Sequence, residues 1–203
     1  VALAGTGVGK SLFMCHVAAG ALTQMKNVLY ISMEMSEERV AERIDANLMN
    51  VPISQLENLS KDMFDKKMNA ITNKGLGQLI VKEYPTGAAN ATHFRALLGE
   101  LKLKKDFIPD LICLDYLNIC ASSRMKADSG SYTYVKAIAE ELRGLAMENN
   151  LPILTATQTT RGGYDNSDVS LTDTSESFGL PATADLMFAL ISTEELEERN
   201  QIQ

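Results

Sequence analysis

The sequence predicts an α/β fold: a mostly parallel central sheet with helices on both of its faces. Three observations predict it. A glycine-rich turn, Ala4-Gly5-Thr6-Gly7-Val8-Gly9-Lys10-Ser11, joins an apolar strand to the start of a helix. Short, nearly continuous apolar runs at 28–33, 79–81, 111–115, 152–157 and 186–191 alternate with helical patterns, which is the arrangement of strands buried on both faces. Several of these runs close on a polar residue, as strands do where they open onto a ligand crevice.

The elements follow in order. Val1-Ala2-Leu3 is the first strand, and Leu12, Phe13, Val17 and Leu22 mark a helix from Lys10 to about Met25. Val28 to Met33 is a central strand. Ser36 caps the next helix, whose first turn carries Glu37 and Glu38 and which runs to about Met49 with Val40, Ile44 and Leu48 on one face. Pro52 breaks it. Ser60 caps a helix ending near Gly75, and Leu79-Ile80-Val81 is a strand closing by Tyr84. Pro85-Thr86-Gly87 turns the chain into a helix opened by Thr92. Leu111 to Asp115 is a buried strand, residues 121–131 a polar loop, and Tyr132 to Asn149 a long helix. The run 152–157 is a strand closed by Gln158, residues 159–179 a long polar loop, and Leu186 to Ile191 a last strand.

Composition narrows the chemistry. With 203 residues and 45% hydrophobic residues the chain can bury one full α/β core. No run approaches the roughly 18 apolar residues of a membrane span, and residue 1 already lies in a core strand, so the expected setting is the cytoplasm and the segment is read as part of a longer chain. Cys15, Cys113 and Cys120 form no C-x-x-C pair and read as reduced core thiols. His16 and His93 are too few for a histidine metal cage and read as helix residues. The formal charge of −7 argues against a broad basic face for nucleic acid and leaves room for a narrow channel lined by a few loops.

The turn at residues 4–11 has the chemistry of a P-loop. Glycines admit the left-handed backbone that aims several N–H groups at one point, and the following helix adds its N-terminal dipole. Ala4, Gly5, Thr6, Gly7, Val8, Gly9, Lys10, Ser11 and Leu12 are the candidate nucleotide-binding residues, for ATP. Lys10 serves the terminal phosphates and Ser11 serves Mg²⁺. Ala4 stands where the usual pattern has glycine. A dinucleotide turn would need G-x-G-x-x-G, which this chain lacks.

Asp115, behind four apolar residues, is the candidate second Mg²⁺ residue, acting through water. Glu34 has two readings of equal weight: the base that polarises an attacking water, or a charge at a helix N-terminus. Gln158 also has two, a γ-phosphate contact or a loop-capping amide. Arg161 and its neighbours Gly162, Gly163 and Tyr164 either meet a phosphodiester backbone or decorate a surface loop, and Arg124 and Lys126 share that ambiguity.

Taken together, the P-loop, Tyr30-Ile31-Ser32-Met33-Glu34-Met35-Ser36, the run from Pro109 to Leu117, Thr157-Gln158 and the run from Leu171 to Gly179 resemble the motor domain of DnaB-type hexameric replicative helicases, those of T-even-like phages in particular. The resemblance covers nearly the whole chain, and the Met-Glu-Met-Ser and Asp-Tyr-Leu segments are its specific parts. It implies a RecA-like P-loop fold, a homo-hexamer with ATP and Mg²⁺ at the subunit interfaces, and unwinding of duplex DNA by translocation on single-stranded DNA. It implies Glu34 as catalytic base, Gln158 as phosphate sensor beside Lys10, and Glu176, Ser177, Phe178 and Gly179 facing the strand, where Ser175 stands in place of a basic residue. A primase and a helicase loader are the implied partners. The amino-terminal domain and the arginine-finger region are expected outside residues 1–203, which form a single motor domain. The rivals are a filament-forming recombinase of the same fold, a P-loop small-molecule kinase and an assembly protein that binds ATP without hydrolysing it.

Overall fold

The computed structural model describes residues 1–126, 128, 130–158 and 179–192. Its strands are β1 (Ala2–Ala4), β2 (Val28–Ser32), β3 (Leu79–Glu83), β4 (Leu111–Asp115), β5 (Ile153–Gln158) and β6 (Phe188–Leu190). Its helices are α1 (Lys10–Thr23), α2 (Glu37–Met49), α3 (Ile53–Leu56), α4 (Lys61–Thr72), α5 (Ala91–Lys105), α6 (Ser131–Asn149) and α7 (Gly179–Thr183). The strands form one sheet in the order β3-β2-β4-β5-β1-β6, and every pair is parallel. The link from β1 through α1 to β2 therefore passes over β5 and β4.

Side-chain alternation divides the core in two. Leu29, Ile31, Ile112 and Leu114 face one side, packed with Phe94, Leu97 and Leu101 of α5 and Val135, Ile138 and Leu142 of α6. Val28, Tyr30, Cys113 and Ala156 face the other, against Met14, Ala18 and Leu22 of α1 and Val40 and Ile44 of α2. This period of two is what a strand buried on both faces requires. All three cysteines are free and buried. The side chain of His16 meets Asn47 across α1 and α2, and His93 completes a capping box with Asn90.

Several boundaries differ from the sequence expectation. Helix α1 stops at Thr23, because Met25 takes a left-handed φ of 58° and Lys26 N–H turns back to the Ala21 carbonyl at 3.1 Å. Helix α4 stops at Thr72, ahead of the turn in which Lys74 N–H and Gly75 N–H donate to Ile71 and Thr72. Helix α5 is capped by Asn90, ahead of Thr92. The short helices α3 and α7 carry too few residues to show periodicity. Arg143 of α6 secures the end of α7, donating to the Thr183 carbonyl at 2.6 Å and to Asp185 at 2.8 Å.

The loop after β4 is held from α6 by one carboxylate. Glu141, its side chain only 6% exposed, accepts from the Ser122 hydroxyl, the Ser123 hydroxyl and N–H, and the Arg124 N–H. Arg124 also reaches Glu140 at 2.9 Å and the Ala137 carbonyl at 3.2 Å. The guanidinium is thus committed to this clasp, which favours the structural reading of Arg124. Burial pushes the Glu141 carboxyl up, but the hydrogen bonds from Ser122, Ser123 and Arg124 together outweigh it and hold it below the ordinary value. A depressed carboxylate stabilises the fold above its unfolded value of about 4.3, and that contribution is lost as pH falls through the folded value. Glu141→Gln should therefore lower the melting temperature at pH 7, and the gap from the wild type should close on acidification. A gap that stays constant with pH would show that the charge is not what holds the loop.

Candidate nucleotide-binding site

The site begins where β1 ends. Ala4 is the last residue of that strand, fully buried, with Gln158 of β5 as its register partner on one side and Leu190 of β6 on the other. Alanine suits it because the position lies within the strand, ahead of the turn. Positive φ occurs at Gly7 (82°) and Gly9 (108°), where an added Cβ would meet no atom of the described residues within 4 Å. The glycine requirement there is conformational. Gly5 serves differently, through its carbonyl, which accepts from Lys10 Nζ at 3.1 Å.

Helix α1 opens on Gly9 with no side-chain cap and no acidic residue in its first turn, whereas Ser36, Ser60 and Asn90 cap α2, α4 and α5. Its first N–H groups and dipole face the turn without a competing side-chain anion, as phosphate binding needs. Lys10, Ser11 and Leu12 form that first turn; Leu12 is 49% exposed.

Lys10 is 8% exposed. Burial lowers its ammonium below the ordinary value, while the carboxylates of Glu34 and then Asp115 pull it upward. Both acids thus lie close enough to act on its charge. Its Nζ also stands 5.8 Å from the centre of the Tyr116 ring, and the Tyr116 hydroxyl accepts from Gln158 Nε2 at 3.2 Å. The structure therefore brings together the turn, Glu34, Asp115 and Gln158, from four adjacent strands β1, β2, β4 and β5.

Glu34 lies two residues beyond β2, exposed, and its side chain makes no hydrogen bond or salt bridge among the described residues. The N-terminus of α2 is already served by Ser36, Glu37 and Glu38, with Glu37 engaged by Lys82 at 3.6 Å and by the Glu83 N–H. That helix end has its cap and first-turn acids without Glu34.

Asp115 is fully buried. Its Oδ2 accepts from the Tyr30 hydroxyl at 3.0 Å, and its Oδ1 has no hydrogen-bond partner among the described residues. A buried carboxylate oxygen without a partner is costly unless positive charge meets it, so the donor set fits a hard divalent cation. Among the described residues no group of three or more His, Cys, Asp or Glu could hold a metal by itself. Such a cation would share its shell with phosphate oxygens and water, as Mg²⁺ does in nucleotide sites.

Arg161, Glu176, Ser177 and Phe178 lie outside the described residues; Gly179 is the first residue of α7. Tyr30 and Tyr116, neither of which the sequence marked for a role, are part of the cluster. The signal for Tyr30 was present: a phenol in a wholly buried apolar strand must find a partner for its hydroxyl.

Comparison with known proteins comes down on one side. A family model described as the DnaB-like helicase C terminal domain matches residues 1–203. The chain is 52% identical over 205 residues to the DnaB-like replicative helicase of Enterobacteria phage T4, covering 99% of this chain and 43% of that one. It superposes with a TM-score of 0.78 on a solved DnaB-like replicative helicase studied with primase, at 17% identity over 97% of this chain and 48% of that one. A second solved structure, described as an ATPase domain, gives the same TM-score of 0.78 at 16% identity, covering 97% of this chain and 70% of that one. The chain spans less than half the length of the curated relatives it matches.

Proposed function

The chain belongs to the DnaB-like helicase C-terminal domain family, and from that premise we propose that it is the ATP-hydrolysing motor of a replicative DNA helicase. The observation that carries the reading is the meeting of Glu34, Asp115 and Tyr116–Gln158 around the Lys10 ammonium. The N–H groups of residues 5–12 hold the phosphates of ATP, and Lys10 holds its γ-end. Ser11 and Asp115 would hold Mg²⁺, which when bound neutralises charge on the β- and γ-phosphate oxygens. Glu34 orients the attacking water and accepts its proton. Gln158 reads the γ-phosphate and, leading directly into residue 159, passes its presence to the loop that holds Arg161 and the 176–179 segment against single-stranded DNA.

In this reading residues 1–203 are one motor unit of a homo-hexamer that meets a primase and a loader in the cytoplasm, that of the host cell if the protein is phage-encoded. Among the described residues no helix is long and apolar enough to cross a membrane. ATP turnover by the full-length protein, with and without single-stranded DNA, tests the motor. DNA should stimulate turnover and closed rings should form with an ATP analogue. Filaments would favour a recombinase. Turnover indifferent to DNA, with phosphate passed to a small acceptor, would make it a kinase.

A further inference from the structure

Asp115 and Ser11, the two residues assigned to the cation, sit on separate elements, β4 and α1, and a buried chain of side chains ties Asp115 to α1 one turn beyond Ser11. Tyr30 of β2 and Asp115 are both 0% exposed, on the sheet face that packs against α1. The Tyr30 hydroxyl donates to Asp115 Oδ2 at 3.0 Å, and the Cys15 thiol donates to the Tyr30 oxygen at 3.8 Å. Cys15 follows Ser11 by one helical turn, so the two side chains lie on the same stripe of α1.

We propose that Tyr30 is a positioning residue for the cation site: its phenol, tied to α1 through Cys15, occupies Asp115 Oδ2 and so presents Oδ1 to the cation and its water. This rests on the reading of Ser11 and Asp115 as the Mg²⁺ residues. The donor directions follow from which groups carry a proton. The Tyr30 hydroxyl carries a proton and the carboxylate oxygen it faces at 3.0 Å only accepts, so the phenol is the donor. Desolvation raises the Cys15 thiol to about 11, so it too remains a donor. A carboxylate with one oxygen fixed by a neutral phenol cannot rotate freely, and the oxygen left over is the one with no hydrogen-bond partner among the described residues. Outer-shell donors of this kind orient ligands and tune metal affinity.

The test is a Mn²⁺ titration followed by electron paramagnetic resonance, on full-length protein saturated with ADP. Tyr30→Phe keeps the ring and removes the hydroxyl. It should raise the Mn²⁺ dissociation constant about 10- to 100-fold, while ADP affinity in EDTA stays at the wild-type value. A lower melting temperature with unchanged Mn²⁺ affinity would show that the phenol only fills and satisfies the core, and would overturn the proposal. If Tyr30→Phe does not fold, Cys15→Ala loosens the phenol from α1 without emptying its place: weakened Mn²⁺ binding supports the relay and wild-type binding overturns it. Asp115→Asn in the same titration separates the two levels. If Asp115→Asn binds Mn²⁺ normally, the cation site itself is misassigned; if it binds weakly while Tyr30→Phe binds normally, the positioning role alone fails.

Discussion

Lys10→Ala should reduce ATP turnover by about 10²- to 10³-fold or more, the range seen when one preorganised charge-stabilising donor is removed, and should weaken nucleotide binding with it. The size of the effect comes from the surroundings. The ammonium is 8% exposed and stands among Glu34, Asp115 and the Tyr116 ring, so little water screens it. Without it the phosphates would approach two carboxylates with no fixed cation between them. The fold itself should survive. Among the described residues the ammonium makes one hydrogen bond, to the Gly5 carbonyl, and its burial is itself unfavourable to the charge. Titration with a fluorescent ADP, steady-state turnover and a melting curve check this together. Wild-type turnover would show that the loop is not the site, and a collapsed melting curve would show that the loss reflects unfolding.

Glu34→Gln should slow hydrolysis by about 10²- to 10⁴-fold, the usual contribution of a positioned general base, with nucleotide affinity nearly unchanged. The side chain is exposed and forms no hydrogen bond or salt bridge among the described residues, so the amide takes nothing from the fold. It also keeps the volume and loses only the proton-accepting charge. A single-turnover measurement isolates the chemical step from product release. Loss of affinity without loss of rate would mean that Glu34 acts on Lys10 and not on water. An unchanged rate would place the base elsewhere. The two variants also differ in kind: Lys10→Ala should fail to hold the nucleotide, while Glu34→Gln should hold it and stall.

What could be read from the residues and what needed coordinates divide along physical lines. Short apolar runs with polar ends announce a parallel sheet, because strands buried on both faces have no polar side to show and their ends alone meet solvent or ligand. The glycine-rich turn announces itself because only glycine takes φ values of 82° and 108° at low cost. Helix caps such as Ser36 and Ser60 are local and legible for the same reason. The short helices α3 and α7, and the early stops of α1 and α4, escaped because a turn or two of helix carries no periodicity. They are set by backbone bonds that close over a few residues and by clasps such as Arg143 on α7.

By itself the sequence determined the fold class, the loop and the polar strand ends, since each is written in a few consecutive residues. Only the tertiary structure decided which ends are neighbours. Strand order places β4 and β5 between β2 and β1, and register sets Ala4 beside Gln158 and Ser32 beside Asp115. That order paired Tyr30 with Asp115 across 85 residues of chain, and the packing of α6 on the loop after β4 tied Arg124 to Glu140 and Glu141. Contacts between segments so far apart leave no periodic trace in the sequence. They exist because folding brings a buried phenol and a buried carboxylate together, where each satisfies the other.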